Sequence, residues 1–291
     1  MTNKFSGTGI ALVTPFNSDK SIDYKALDHI IQFQIQNGVE YLVILGTTGE
    51  SVTLSKEEKK ILIPHVVNTV AGRIPLVLGI GGNNTQEVLS QIETTDLKGY
   101  EAILSVTPYY NRPTQKGIYR HYEAIAGISP LPVIIYNVPS RTGTNILSST
   151  TLSLANDFPK LIATKEASGN LAQIMEVIHK KPTGFEVISG DDILTLPMIA
   201  MGAIGVISVA AQAVPKVFSE MVRLGLQGKI TEARQLHYQI QDLMNALFAD
   251  GSPGGIKAAL NILGYCQNEL RLPLVPVKTQ VYQQIEGLLN H

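Results

Sequence analysis

Lys165 closes the apolar run Leu161-Ile162-Ala163-Thr164 and is followed by Glu166-Ala167-Ser168-Gly169-Asn170. That pattern is a buried strand delivering one amine at its end, just before a helix. Burial disfavours a charged ammonium, so a lysine placed this way is costly unless it is used. The neutral amine is the nucleophile that forms a Schiff base with a ketone. For an arbitrary chain, a lysine snorkelling from a strand end is the commoner case. The company Lys165 keeps reverses those odds.

Other apolar runs end in groups suited to amine–carbonyl chemistry. They are Thr14-Pro15-Phe16, Gly46-Thr47-Thr48-Gly49-Glu50-Ser51, Thr107-Pro108-Tyr109-Tyr110-Asn111-Arg112-Pro113, Tyr136-Asn137-Val138-Pro139-Ser140-Arg141-Thr142-Gly143 and Gly190-Asp191-Asp192. Gly46 and Gly49 let backbone approach a ligand closely. Thr47 and Thr48 offer hydroxyls and amides to a carboxylate, although a plain turn explains the four residues equally well. The Tyr136 phenol can shuttle protons if it lies near the amine; otherwise it is a core aromatic. Arg141 presents a planar fork for a second carboxylate, or is a solvated loop arginine. Tyr109 and Tyr110, flanked by prolines, form a stiff loop that suits an interface as well as a site. Asp191-Asp192 reads as an N-cap for the following helix in preference to a cation site.

These groups need a frame. β-Branched runs recur at 10–14, 41–45, 76–80, 102–107, 133–137, 161–165, 186–189 and 205–209. Helical patterns lie between and after them, at 24–36, 56–70, 86–97, 116–127, 149–156, 171–179, 193–201 and 216–224. Continuous apolar strands imply a sheet covered on both faces, and strand–helix alternation implies parallel strands with helical crossovers. Eight such units predict an α/β fold of the (β/α)8 TIM-barrel type, whose active sites sit at the carboxyl ends of the strands. A doubly wound open sheet would want a dinucleotide fingerprint. Gly79-Ile80-Gly81-Gly82-Asn83-Asn84 lacks its last glycine and reads as a turn, with Asn84 or Thr85 capping the next helix. Residues 229–248, 256–263 and 279–289 are helical in pattern, with turn residues at 250–255 and 272–276. The expected division is a barrel over 1–226 and a C-terminal helical appendix over 227–291.

Composition excludes several classes. With 291 residues, 44% of them hydrophobic, the chain can bury a large core, and a net charge of −1 gives no strong field for nucleic acid or an anionic membrane. Cys266 is the one cysteine, which rules out an intrachain disulfide framework and fits a reducing compartment. Residues 1–7 carry no apolar signal core, and no apolar stretch is long enough for a membrane span. A soluble, cytoplasmic protein is expected. The histidines, at 29, 65, 121, 179, 237 and 291, are scattered, so no metal site is expected.

Taken in order, the motifs at 46–51, 107–111, 136–143 and 165–169 resemble the 4-hydroxy-tetrahydrodipicolinate synthase (dihydrodipicolinate synthase) family. The similarity extends to Gly205-Val206-Ile207-Ser208-Val209 and Leu270-Arg271-Leu272-Pro273. The resemblance implies a Schiff-base, class I aldolase-like lyase of diaminopimelate and lysine biosynthesis that condenses pyruvate with L-aspartate 4-semialdehyde. It implies that Lys165 forms the imine and that Tyr136, Thr47 and Tyr110 relay protons, Tyr110 entering from a neighbouring subunit. It implies that Thr48 holds the pyruvate carboxylate, that Arg141 holds that of the aldehyde, and that Gly190 and Ile207 line the site. It also implies no cofactor, a homotetramer built as a dimer of dimers, and an allosteric lining of Ser51, Asn83, Glu87 and Tyr109.

Three departures from the family pattern stand out. Ser252-Pro253-Gly254-Gly255 replaces a common Asn-Pro-Ile-Pro, and Gln212 stands where Asn is common after Ala210-Ala211; neither falls on the relay. Lysine-inhibited relatives often carry histidines after the Gly-Thr-Thr-Gly-Glu-Ser motif, where this chain has Lys56 and Lys59, so weak feedback by L-lysine is expected. Among rivals, neuraminate lyases and keto-deoxy-sugar-acid aldolases share the lysine and tyrosine. Neuraminate lyases typically show Gly-Ser-Thr-Gly-Glu and lack the arginine of the Ser-Arg-Thr-Gly turn. A barrel that merely senses carboxylates has no need of Lys165, Tyr136, Thr47 and Tyr110 together.

Overall fold

The computed structural model describes residues 4–290. Eight parallel strands close into a barrel in chain order: β1 (Gly7–Ala11), β2 (Tyr41–Ile44), β3 (Leu76–Gly79), β4 (Ala102–Val106), β5 (Val133–Asn137), β6 (Leu161–Glu166), β7 (Glu186–Ser189) and β8 (Gly205–Ser208). Around them run α1 (Tyr24–Gln36), α2 (Lys56–Val70), α3 (Thr85–Thr94), α4 (Gln115–Ile128), α5 (Pro139–Thr142), α6 (Ser148–Asp157), α7 (Leu171–Lys180), α8 (Thr195–Ala200) and α9 (Pro215–Leu226). α10 (Ile230–Ala246), α11 (Gly254–Ile262) and α12 (Thr279–Leu289) follow.

The strands alternate between two apolar layers. Tyr41 and Val43 of β2, Ile134 and Tyr136 of β5 and Ile207 of β8 fill the barrel interior. Leu42, Ile44, Val133, Ile135 and Val206 face the helices. That outer layer continues through Ala233, Ile240, Leu243, Ile256, Leu260 and Ile285, so the C-terminal helices share one apolar cluster with the barrel wall. The amino-terminal mouth is plugged by Tyr41, whose hydroxyl donates to the Val206 carbonyl at 3.1 Å and whose ring meets Phe5 edge-on. Gly9 makes room for that ring; a Cβ there would stand 2.2 Å from it. Closure of one mouth leaves the carboxyl ends of the strands as the open end.

Some boundaries differ from the sequence expectation. β1 lies three residues upstream of the expected 10–14, because Gly7–Ile10 pair with Gly205–Ser208 of β8. A strand apolar on both faces carries no alternation to mark its ends. α3 ends at Thr94, not 97, and its cap is Asn84, which accepts from Gln86 N at 3.1 Å. α8 starts at Thr195, not 193, and has no side-chain cap. The expected capping role of Asp191-Asp192 is corrected accordingly. Asp191 accepts from Ile193 N at 3.1 Å, and the buried Asp192 crosses to β8, taking Val209 N at 3.2 Å and Ala210 N at 2.8 Å. The first amides of the short turn after β8 have no partner within that turn, and the Asp192 carboxylate supplies one. Burial pushes the Asp192 carboxyl up to about 6, against the bonds it accepts.

Candidate active site

β5 and β6 set the centre of the site. Their register pairs Tyr136 with Lys165 and Asn137 with Glu166, and β7 places Ile188 beside Lys165 on the other side. Lys165 is 5% exposed and Tyr136 7%. The Lys165 Nζ stands over the Tyr136 ring, 4.3 Å from its centroid. Among the described residues no carboxylate lies within ion-pairing distance of that amine. The surrounding walls are Ala163, Ile188 and Ile207. Gly190, which follows β7, is required there: a Cβ would come 2.9 Å from Lys165 Cε and from Ala167 Cβ. The result is an amine in an apolar slot with a phenol ring against it, suited to attack on a carbonyl.

Tyr136 is held from behind. Its backbone carbonyl accepts from Thr107 N at 3.0 Å and from Thr107 Oγ1 at 2.9 Å. On the outer face of the same strand ends, Asn137 Nδ2 donates to both Glu166 oxygens, at 3.3 and 3.2 Å, and to Asn145 Oδ1 at 2.9 Å. Ser168 Oγ adds a bond to Glu166 at 3.0 Å. Burial pushes the Glu166 carboxyl up to about 7, while these bonds pull it down. The sequence reading passed over Asn137 and Glu166. The signal was available: each is a polar residue one position past a chemical group at a strand end, and therefore on the opposite face.

The loop groups are placed differently. Thr48 is buried and Thr47 exposed, on a short helical turn (Thr47–Gly49) after β2. Thr14 Oγ1 donates to the Gly49 carbonyl at 2.7 Å. Tyr110 is 88% exposed and held at a positive φ of 72°. Arg141 lies on α5, exposed, its Nη2 donating to the Ser252 carbonyl at 3.4 Å. The 252–255 departure therefore touches a substrate-binding candidate. Gln212, the other departure, ties β8 to the end of β1: its side chain accepts from Val13 N at 3.0 Å and donates to the Ala11 carbonyl at 2.9 Å. Ser51, Asn83 and Tyr109 follow β2, β3 and β4 respectively, and Glu87 stands in the first turn of α3; the Asn83 carbonyl accepts from Asn111 Nδ2 at 3.0 Å. Burial raises the Cys266 thiol to about 11, which leaves it inert. Among the described residues no three His, Cys, Asp or Glu side chains are grouped to hold a metal. No helix among them is long and apolar enough to cross a membrane.

The sequence matches the Dihydrodipicolinate synthetase family over residues 4–291. This chain belongs to that family. It is 52% identical to the 4-hydroxy-tetrahydrodipicolinate synthase of Parabacteroides distasonis over 284 residues, covering 98% of this chain and 96% of the relative. The fold superimposes on the chloride-inhibited dihydrodipicolinate synthase of Acinetobacter baumannii solved with pyruvate, with TM-score 0.95, 36% identity and 98% of each chain covered. It superimposes equally on a monomeric dihydrodipicolinate synthase variant, with TM-score 0.96, 36% identity, and 99% and 96% covered.

Proposed function

We propose that the chain condenses pyruvate with L-aspartate 4-semialdehyde to 4-hydroxy-tetrahydrodipicolinate, a lyase reaction of the diaminopimelate–lysine route, through a Schiff base on Lys165. The observation that carries this is the buried, unpaired Lys165 amine over the Tyr136 ring at the open end of the barrel. The amine adds to the pyruvate ketone and water leaves, giving the imine. Loss of a methyl proton gives the enamine, whose carbon attacks the aldehyde. The substrate's own amino group then displaces Lys165 and closes the ring. Tyr136, Thr47 and Tyr110 pass the protons. Thr48 takes the pyruvate carboxylate and Arg141 that of the aldehyde. Gly190 and Ile207 shape the slot. All of these lie in the barrel, 1–226, with 227–291 as its support.

The working form we read as a homotetramer, a pair of tight dimers, with Tyr110 completing the partner's site. Tyr110, Val52, Ile61, Leu272 and Val275 are large side chains left exposed, and an outward tyrosine on strained backbone suits an interface. A single buried cysteine suits the cytoplasm. Ser51, Asn83, Glu87 and Tyr109 would line an effector pocket for L-lysine. The cations Lys56 and Lys59, near that rim on α2, would weaken a cationic effector by like-charge repulsion.

Borohydride with pyruvate should leave one adduct per chain, on Lys165. Turnover should require aspartate semialdehyde and fail with N-acetylmannosamine. An adduct on another lysine overturns the mechanism, and turnover with N-acetylmannosamine overturns the substrate.

A further inference from the structure

The loop that carries Thr47 and Thr48 is bracketed by two non-glycine residues in the left-handed region, Leu45 at φ 59° and Glu50 at φ 50°. Such backbone persists where its surroundings over-determine it. At Leu45 the neighbour is Gly79, where a Cβ would stand 2.4 Å from the Leu45 carbonyl oxygen. At Glu50 the hold is electrostatic. Its carboxylate accepts from Lys257 Nζ at 2.5 Å and from Arg271 N at 3.1 Å, and both members of the ion pair are 0% exposed. Lys257 stands on α11, 207 residues away in sequence, and also donates to the Glu269 carbonyl at 2.8 Å.

The surroundings extend this hold. The Glu50 carbonyl accepts from Thr53 N and Thr53 Oγ1, both at 2.9 Å. The Arg271 guanidinium donates to the Thr53 carbonyl at 2.9 Å and to both oxygens of Glu58, at 2.8 and 2.5 Å. The Phe16 ring, from the loop after β1, has Lys257 Nζ 4.0 Å and Arg271 Cζ 4.5 Å from its centroid.

We propose that the Glu50–Lys257 pair is a positioning device: through it the C-terminal helices fix the 46–49 loop so that Thr47 and Thr48 meet pyruvate, without either charge touching substrate. This rests on the reading of those threonines given above. A buried ion pair returns no more stability than an apolar pair of the same volume, because desolvation offsets the attraction. What it adds is direction. A carboxylate bonded by an ammonium and a backbone amide can sit in one orientation, whereas apolar side chains slide. Glu50 is the hinge between the turn holding the threonines and the turn Ser51–Thr53, so its orientation sets the aim of Thr47 and Thr48.

The test is the double variant Glu50→Gln with Lys257→Met, which removes both charges, keeps the volume and keeps an acceptor for Arg271 N. Its thermal midpoint is expected within about 5 °C of the parent. Its pyruvate KM should rise by about tenfold or more, while borohydride still labels Lys165 at saturating pyruvate. Thr53→Val carries the same test without touching the pair. It deletes the hydroxyl bond to the Glu50 carbonyl and should raise pyruvate KM by about threefold. A merely structural pair would lower the midpoint and leave KM alone. Unchanged pyruvate KM in whichever of these variants folds overturns the proposal. If the parent protein itself gives no pyruvate adduct, the functional reading falls and the inference with it.

Discussion

Lys165 and Tyr136 stand on paired strands and are buried; Thr47, Tyr110 and Arg141 stand on the loops and one-turn helices after β2, β4 and β5 and face solvent. The first pair is fixed by ladder hydrogen bonds, by the two hydrogen bonds from Thr107 and by the Asn137–Glu166 contact on the reverse face. The second group relies on left-handed backbone at Glu50, Tyr110 and Arg112, and on one long bond from Arg141 to a carbonyl. In the proposed reaction, the half that makes the imine is preformed in one chain. The half that handles the aldehyde and the relay waits for substrate or another subunit to cover it. Rigid strands suit a covalent step that demands one geometry; loops suit groups that close later.

Breaking the buried half should have the largest effect. Lys165→Ala is expected to lower kcat by about 10⁴-fold or more, as removal of a nucleophile does, and to abolish the borohydride adduct seen by mass spectrometry. Lys165→Arg should not restore it, because guanidinium stays protonated. Residual activity within tenfold of the parent would place the chemistry elsewhere. Next comes Arg141→Ala, expected to cost roughly 2–4 kcal/mol in kcat/KM for the aldehyde, with the pyruvate adduct intact. Equal damage to both half-reactions would mean that Arg141 shapes the barrel mouth and does not bind substrate.

The strand-end contact can be sharpened through pH. Burial pushes the Glu166 carboxyl up to about 7 in the folded protein, above the ordinary 4.5. Between those values the native state holds the proton more tightly than the unfolded chain, so Glu166's contribution is full below about 4.5 and is lost as pH rises through 7. Glu166→Gln should therefore leave stability near the parent's at pH 4.5 and exceed it at pH 8 by about 3 kcal/mol, read from denaturant midpoints. Parallel curves for the two proteins would show that the carboxyl is solvated. The smallest effect is expected at Tyr110→Phe, about a tenfold loss in kcat, or roughly 1.4 kcal/mol, with assembly unchanged in sedimentation. Full activity in a monomer of the parent protein would remove Tyr110 from the shared site.

Much of the frame could be read without coordinates. The 3.6-residue pattern gave α1, α2 and α12 their observed limits, because amphipathic helices announce their buried face in sequence. Apolar runs between helices gave eight strands, and the carboxyl ends of those strands carry Lys165 and Tyr136 and lead into the segments that hold Thr47 and Arg141. The strand limits were less legible, since residues buried on both faces lack alternation: β1 was placed three residues too late.

What the sequence by itself determined is what local pattern encodes: the order of elements, the closed barrel and the rim on which the chemical groups stand. Only the tertiary structure decided the partners. Asp192 was expected to cap its own helix and instead satisfies amides 17 and 18 residues on, after β8. Gln212 bridges to β1 across 201 residues, and Glu50 finds Lys257 across 207. Hydrogen bonds and ion pairs act over about 3 Å of space whatever the chain distance. A buried polar group takes the partner that closure of the barrel brings to it, and no spacing in the sequence records that choice.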